Sequence, residues 1–253
     1  VVFPENLGFG KDEYFDNEQN YLSDRLTDEV IRFMEQNRQK PFLAYLPDHA
    51  VHAPYNPKPD LLAKYQKKAG TNPAAAPMGT RGRPKGRSGQ RGTDDPALAA
   101  TVEAVDQNIG RLVDALDRLK LTDDTVIFFM SDNGGTEQYT APLRGGKGEL
   151  YEGGIRVPML VSWPGLRKPG SQFREPVASV DLYPTLLELA KVKAPRQILD
   201  GVSLVPAFQG EAQLGRERLF WHFPCYVGRA TPCSAIREGD FKLIEFYEDG
   251  GRR

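Results

Sequence analysis

Apolar and polar positions recur along this chain with two periods, helical in its first half and alternating near its end. Over residues 21–38, "YLSDRLTDEVIRFMEQNR", Leu22, Leu26, Val30 and Phe33 fall at helical spacing and predict an amphipathic helix with one buried stripe. "PFLAYL" at 41–46 reads as a short buried strand. A longer helix is predicted over "DDPALAATVEAVDQNIGRLVDALDRLKL", where an Asp cap and Pro96 precede Val102, Val105, Ile109, Leu112, Val113 and Leu116 on one face. "TVIFFMS" and "VPMLVSW" are apolar without alternation, the pattern of central parallel strands covered on both faces, and "SVDLYPTLLELA" is a short helix. Strand, long helix and strand in this order predict an α/β sheet with right-handed crossovers. After about Gln209 the texture changes to "RLFWHFP", "SAIREG" and "DFKLIEFYEDG", short alternating strands that predict a small antiparallel lobe. The expected organisation is therefore an α/β domain over 1–209 and an antiparallel subdomain over 210–253. A basic Gly- and Pro-rich insertion at 66–96 interrupts the first of them.

Composition narrows this picture only slightly. The chain has 253 residues, 40% of them hydrophobic and 26% charged, which suits an ordinary globular protein with one sizeable core. A net charge of -1 supplies no global field toward nucleic acid or membrane. The longest apolar run, "TVIFFM", is far short of the roughly 20 residues a membrane helix needs. Cys225 and Cys233 lie eight positions apart and read as two free thiols or a local disulfide, so cysteine usage leaves the compartment open.

The chemistry concentrates at predicted strand ends. "PLRGGKGELYEGGIRVP" packs five glycines around Lys147, and a Gly-rich loop with a central cation points to an anion. A P-loop would need a hydroxyl residue after Gly-Lys, but Gly148 follows; a dinucleotide fingerprint would need a helix after the loop, but a strand follows. Arg144 and Arg156 add positive charge beside Lys147. "SDNGG" follows the first apolar strand, where an Asp132 carboxylate beside an Asn133 amide oxygen suits calcium or magnesium, or else forms an Asx-type turn. "PDHAVHAP" ends the other predicted strand and carries His49 and His52; zinc is disfavoured, since His222 is the one further histidine. A hard metal, an imidazole and a lysine around an anion suit displacement at a phosphate or sulfate ester. The metal and the lysine would stabilise charge on the transferred group, and the histidine would protonate the departing oxygen.

"SDNGG", "PLRGGKGELYEGGIRVPMLVSWPG" and "YLSDRLTDEVIRFMEQNRQKPFLAYLPDHAVHAP" together resemble the later portion of a type I sulfatase of the alkaline phosphatase superfamily. The resemblance extends over nearly the whole chain apart from 66–96. It implies an alkaline-phosphatase-like sandwich with a mostly parallel central sheet and hydrolysis of sulfate esters, with sulfated small molecules or glycans as partners. It implies that Asp132 and Asn133 hold a divalent cation, calcium or magnesium, that Lys147 contacts the sulfate, and that His52 contacts the sulfate and the leaving oxygen. His49 would be a neighbour of the site. A periplasmic or secreted location is expected on the same grounds. The family's nucleophile is a formylglycine made in a Cys-x-Pro-x-Arg signature near the domain's start. Neither that signature nor the earlier Asp pair of metal ligands precedes "SDNGG", so a chain truncated at the N-terminus is expected, and its end in "FYEDGGRR" suggests a cut there too. The alternatives are a non-catalytic fragment or pseudoenzyme, or a phosphate or phosphonate ester hydrolase of the same superfamily.

Two further motifs look functional in isolation. "CSAIR" at Cys233–Arg237 approaches the maturation signature but leads into a strand and matches the family's C-terminal "SAIRxGDYKLI" segment, so Cys233 is not expected to be catalytic. "RGRPKGR" at Arg81–Arg87 resembles an AT-hook, yet one basic core inside an enzyme-like chain reads better as a solvated insertion, and no nucleic-acid partner is expected. Loops of the small lobe near His222 are candidates for substrate contact.

Overall fold

A computed structural model describes residues 20–70, 95–166, 168–211, 213–226 and 230–248. Most of the 66–96 insertion, including the AT-hook-like Arg81–Arg87, and both chain ends lie outside the described residues. The chain divides into two compact units, 1–124 and 125–253.

The first unit holds α1 (Leu22–Asn37), α2 (Pro59–Lys68) and α3 (Pro96–Leu119), with α3 packed against both others. The predicted cap of α3 is present: the Asp95 carboxylate accepts from the backbone N–H groups of Ala97 at 2.9 Å and Leu98 at 3.3 Å, and Pro96 opens the helix. The predicted stripes shift, however. In α1 the buried residues are Leu22, Ser23, Thr27 and Met34, while Phe33 is exposed. Ser23 and Thr27 can turn inward because their hydroxyls are satisfied, donating to Asp48 Oδ1 and the Ser23 carbonyl, both at 2.8 Å. In α3 the interior face is Ala100, Thr101, Ala104, Asn108, Ala115 and Leu116, with Val102 and Val113 exposed. Small side chains let the helices approach closely. Asn108 is held between Asp24, to which its amide donates at 3.0 Å, and Arg111, which donates to it at 3.0 Å. Tyr21, Leu61, Ala100 and Ala104 form the core cluster, with Tyr65 against it.

Two further expectations fail here. Gln66–Lys68 belong to α2 rather than to an insertion, and Gln66 is buried. Residues 41–46 form no strand, and Leu43 (68%) and Tyr45 (84%) are exposed. An apolar run becomes a buried strand only when neighbours cover its edges and faces, and periodicity alone does not supply them.

In the second unit, β1 (Ile127–Met130) pairs with β2 (Met159–Ser162), and β3 (Arg218–Phe223), β4 (Cys233–Glu238) and β5 (Phe241–Phe246) form a meander. The α/β class and the small antiparallel C-terminal sheet stand as expected. The β1–β2 pairing is antiparallel, Ile127 opposite Ser162 and Met130 opposite Met159, rather than parallel. Coverage on both faces fails as well, since Phe129 (42%) and Leu160 (65%) are exposed; an apolar run without alternation by itself fixes neither the cover nor which way the partner runs. Single-turn helices α4 (Glu137–Thr140) and α5 (Glu152–Ile155) lie between β1 and β2; α6 (Leu182–Leu189) and α7 (Val205–Phe208) follow. Phe208 packs against Phe128 and Trp163, each at 5.9 Å between ring centres. Before α6, fully buried Asp181 accepts from Arg216 Nη1 at 2.5 Å and from the N–H groups of Val202 at 2.9 Å and Ala178 at 2.8 Å.

Candidate active site

Asp132 and Asn133 leave the end of β1 on a turn that Ser131 fixes, its hydroxyl donating to the Asn133 carbonyl at 2.8 Å. Asp132 is exposed and Asn133 half-buried. The Asn133 amide nitrogen donates to Asp132 Oδ2 at 2.5 Å, so that contact does not use Oδ1 of either side chain. The Lys147 loop is joined to this turn through backbone. Gly134 N–H donates to the Gly154 carbonyl at 2.9 Å, and Lys147 N–H donates to the Gly135 carbonyl at 2.8 Å.

Glycine makes that junction possible in two ways. Gly145 (φ 75°) and Gly148 (φ 91°) bracket the lysine in left-handed conformations that other residues adopt only under strain. Gly134 and Gly146 are needed for approach: a Cβ on Gly146 would meet the Glu137 nitrogen at 2.7 Å and the Gly135 carbonyl at 2.8 Å, and one on Gly134 would overlap the Gly153 carbonyl. Lys147 itself is exposed, and its ammonium makes no ion pair among the described residues. The flanking arginines are engaged elsewhere. Arg144 lies over the Tyr151 ring at 3.9 Å, and Arg156 approaches Glu152 at 3.9 Å.

Three residues that periodicity and motif passed over support the loop. Glu149 accepts from the Gly146 N–H at 3.0 Å. Glu152 accepts from Lys242 Nζ at 2.6 Å and lies 3.8 Å from Arg237, while the same Lys242 donates to the Leu150 carbonyl at 2.8 Å. Burial opposes ionisation of Glu152, but the Lys242 hydrogen bond and the neighbouring positive charges outweigh it and hold the carboxyl below the usual glutamate range. The Leu150 side chain packs with Cys233 and Ala235, flanked by Ile155, Trp221, Phe223, Ile244 and Phe246. The one advance sign of this support was the pair of glutamates written into "GKGELYEGG".

His49 and His52 belong to the first unit, on a turn where His52 N–H donates to the His49 carbonyl at 3.0 Å and the rings lie 5.3 Å apart. His52 Nδ1 is 2.6 Å from the Ala53 carbonyl. A carbonyl only accepts, so Nδ1 carries the hydrogen of this contact. Asp48 braces the turn, accepting from the Ala50 N–H at 3.0 Å as well as from Ser23, and burial pushes its carboxyl up despite those bonds.

Cys233 begins β4 in the core, where burial pushes its thiol up, so it lacks the exposed thiolate character of a reactive cysteine. Cys225 is exposed, and both thiols are free. Because Trp221 and Phe223 face Leu150, His222 lies on the opposite face of the sheet, where Nδ1 meets Ser234 Oγ at 2.9 Å and Tyr247 OH at 2.8 Å.

The sulfatase family pattern matches residues 6–192, and the pattern described as "N-sulphoglucosamine sulphohydrolase, C-terminal" matches 146–252. The chain belongs to the sulfatase family. A "Sulfatase" of Formosa agariphila is 36% identical over an alignment covering 90% of this chain and 42% of that protein. The crystal structure of Ps i-CgsB in complex with k-i-k-neocarrahexaose superposes with a TM-score of 0.72 at 31% identity, covering 91% of this chain and 47% of the other. BT4656 in complex with its substrate D-glucosamine-2-N,6-O-disulfate gives 0.71 at 25%, covering 91% and 62%. This sulfatase-family chain thus spans about two fifths of the length of the Formosa relative and about half of the first structure.

Sulfatases generally work with a divalent cation and a formylglycine. The paired oxygens of Asp132 and Asn133 fit a hard cation by donor type, although calcium takes about six to eight oxygens and this turn offers two. Among the described residues no cluster of three or more His, Cys, Asp and Glu side chains completes a cage. No helix among them is long and apolar enough to cross a membrane.

Proposed function

We propose that the protein hydrolyses sulfate esters of carbohydrate, with Lys147 and His52 at the sulfate and Asp132 and Asn133 on a calcium or magnesium ion. The observation that supports this reading is the backbone junction of the lysine loop with the Asp–Asn turn, made by Lys147 N–H on the Gly135 carbonyl and Gly134 N–H on the Gly154 carbonyl. The sulfated sugar named as the substrate of BT4656 supports the carbohydrate class.

In this mechanism Asp132 and Asn133 would hold the cation through side-chain oxygens. A cation so held would supply Lewis-acid stabilisation of charge on the sulfuryl oxygens. Lys147 adds a fixed positive charge to the same oxygens, and its glycine-flanked backbone lets the anion approach closely. His52, protonated at Nε2 and oriented by its Nδ1–H bond to Ala53, gives its proton to the sugar oxygen as the S–O bond to the sugar breaks and sulfur bonds to the incoming nucleophile oxygen, water being the net acceptor and sulfate the second product. Asp48 and Ser23 keep that imidazole's turn in place.

The deciding experiment assays the full-length protein on sulfated sugars and on aryl sulfates, after chelation and after readdition of calcium or magnesium. Cation-dependent release of sulfate from a sugar is expected. Lys147→Ala and His52→Ala should each lower the rate about 10²-fold or more, by analogy with loss of one oxyanion donor. An effect below tenfold removes that residue from the site, and hydrolysis of phosphate esters alone overturns the sulfate reading. We also infer a periplasmic or secreted location, where polymeric sulfated glycans are met; recovery of the protein solely in the cytosolic fraction refutes it.

A further inference from the structure

We propose that Lys242, on the C-terminal sheet, is a positioning residue that sets the lysine loop and the Asp132–Asn133 turn for anion binding. The inference rests on the reading of Lys147 as the residue that meets the sulfate. Lys242 lies on β5 and its side chain is only 14% exposed. Its ammonium donates to the Leu150 carbonyl at 2.8 Å and to Glu152 Oε1 at 2.6 Å, and so grips two points two residues apart, just after the "GKG" segment.

From that grip a continuous backbone path leads to both functional elements. Glu152 opens α5, and the next two residues are the glycines that dock the loop. Gly153 N–H donates to the Arg144 carbonyl at 2.8 Å, at the loop's entrance. The Gly154 carbonyl receives the Gly134 N–H at 2.9 Å, in the Asp–Asn turn. Lys147 N–H then returns to the Gly135 carbonyl at 2.8 Å. Moving Leu150 and Glu152 therefore moves both faces of the site together. The contacts leave little slack, because a Cβ on Gly153 or Gly154 would already overlap the Gly145 or Glu149 carbonyl.

A hydrophobic contact could glue sheet to loop but could not fix the distance. The Leu150 side chain provides that glue against Cys233 and Ala235. Lys242 adds direction: a half-buried carboxylate and a carbonyl lone pair converge on one ammonium, and satisfying both admits one arrangement. Arg237, 3.8 Å from Glu152 Oε2, biases the carboxylate from the neighbouring strand. A displacement of about 1 Å at a positioned group can cost on the order of 10²-fold in rate, so a rigid clamp at this distance has functional weight.

The test is calorimetric titration of the full-length protein with inorganic sulfate, together with thermal melting, for the parent, Lys147→Ala, Lys242→Met and Lys242→Arg. The expected result is a sulfate Kd raised roughly tenfold or more in Lys242→Met, recovered to within about threefold in Lys242→Arg, with loss of binding in Lys147→Ala. If Lys242→Met fails to fold, Glu152→Gln replaces it with the same expected loss. A lowered Tm with an unchanged Kd makes Lys242 merely structural and overturns the inference. Sulfate binding that survives Lys147→Ala, or is absent from the parent, overturns instead the anion reading on which it rests.

Discussion

Gly134→Ala tests the junction on which the site depends. Gly134 is buried, and its N–H donates to the Gly154 carbonyl at 2.9 Å. A Cβ there would overlap the Gly153 carbonyl oxygen and sit 2.8 Å from both the Gly153 carbonyl carbon and Gly154 Cα. Every one of those atoms is backbone, so no side chain can swing aside. Relief requires the turn and the loop to part. Overpacking of this kind costs about 1–3 kcal/mol. Separation also gives up the Gly134–Gly154 and Lys147–Gly135 hydrogen bonds, about 1 kcal/mol each, for a total near 3–5 kcal/mol. At roughly 3 °C per kcal/mol for a domain of this size, the second unit should melt about 10–15 °C lower. Gly110→Ala is the control: that position lies inside α3 with nothing within 4 Å of a new Cβ, so it should gain about 0.5–1 kcal/mol. Differential scanning calorimetry with urea titration reads both. A Gly134→Ala protein melting within about 2 °C of the parent would falsify the junction as described.

Two further outcomes follow from charged groups in the second unit. Glu152 titrates lower in the fold than in the unfolded chain, so its contribution is complete above its ordinary pKa of 4.5 and is lost as pH falls through the lower folded value. Glu152→Gln should therefore flatten the fall in stability below that pH, and an unaltered acid limb in urea titrations refutes the assignment. Arg216→Met leaves the fully buried Asp181 carboxylate without its cation and should cost about 3–5 kcal/mol, partly recovered in the double variant with Asp181→Asn. A shift of the urea midpoint worth less than about 1 kcal/mol would show that the two backbone N–H groups on Asp181 suffice alone.

Local chemistry was the legible part of the sequence. Asp95 and Pro96 announced the start of α3, and the alternation after Gln209 announced the β3–β4–β5 meander, because caps and period-two patterns act over a few residues. The glycines around Lys147 announced a tight loop, but not that Gly134 and Gly146 serve contact between two backbone segments rather than conformational freedom. That distinction depends on what lies across the gap. The inward faces of α1 and α3 escape periodicity for a related reason: Ser23, Thr27 and Asn108 are polar by composition, yet partners at Asp48, the Ser23 carbonyl and Asp24 respectively make them interior. Lys242 read as one more strand lysine, since nothing in "DFKLIEF" reveals that its ammonium meets a carbonyl and a carboxylate some ninety residues earlier. The direction of β2 was hidden too, because an apolar run says nothing of strand polarity.

The pairing of Met130 with Met159 has a consequence for how the site can vary. Everything from Ser131 to Pro158, both the turn and the lysine loop, is one excursion whose two ends are tied side by side by the sheet. Closing such an excursion costs entropy that rises only with the logarithm of its length, about 0.6 kcal/mol per doubling. Residues can therefore be added or removed where its backbone is not in contact without touching the register of the strands that carry it, but not at α4, where the Glu137 nitrogen lies against Gly146 and the Thr140 hydroxyl donates to the Gly145 carbonyl. The segment is built as a cassette: the strands supply the socket, the glycine contacts its internal wiring, and Lys242 the catch that seats it.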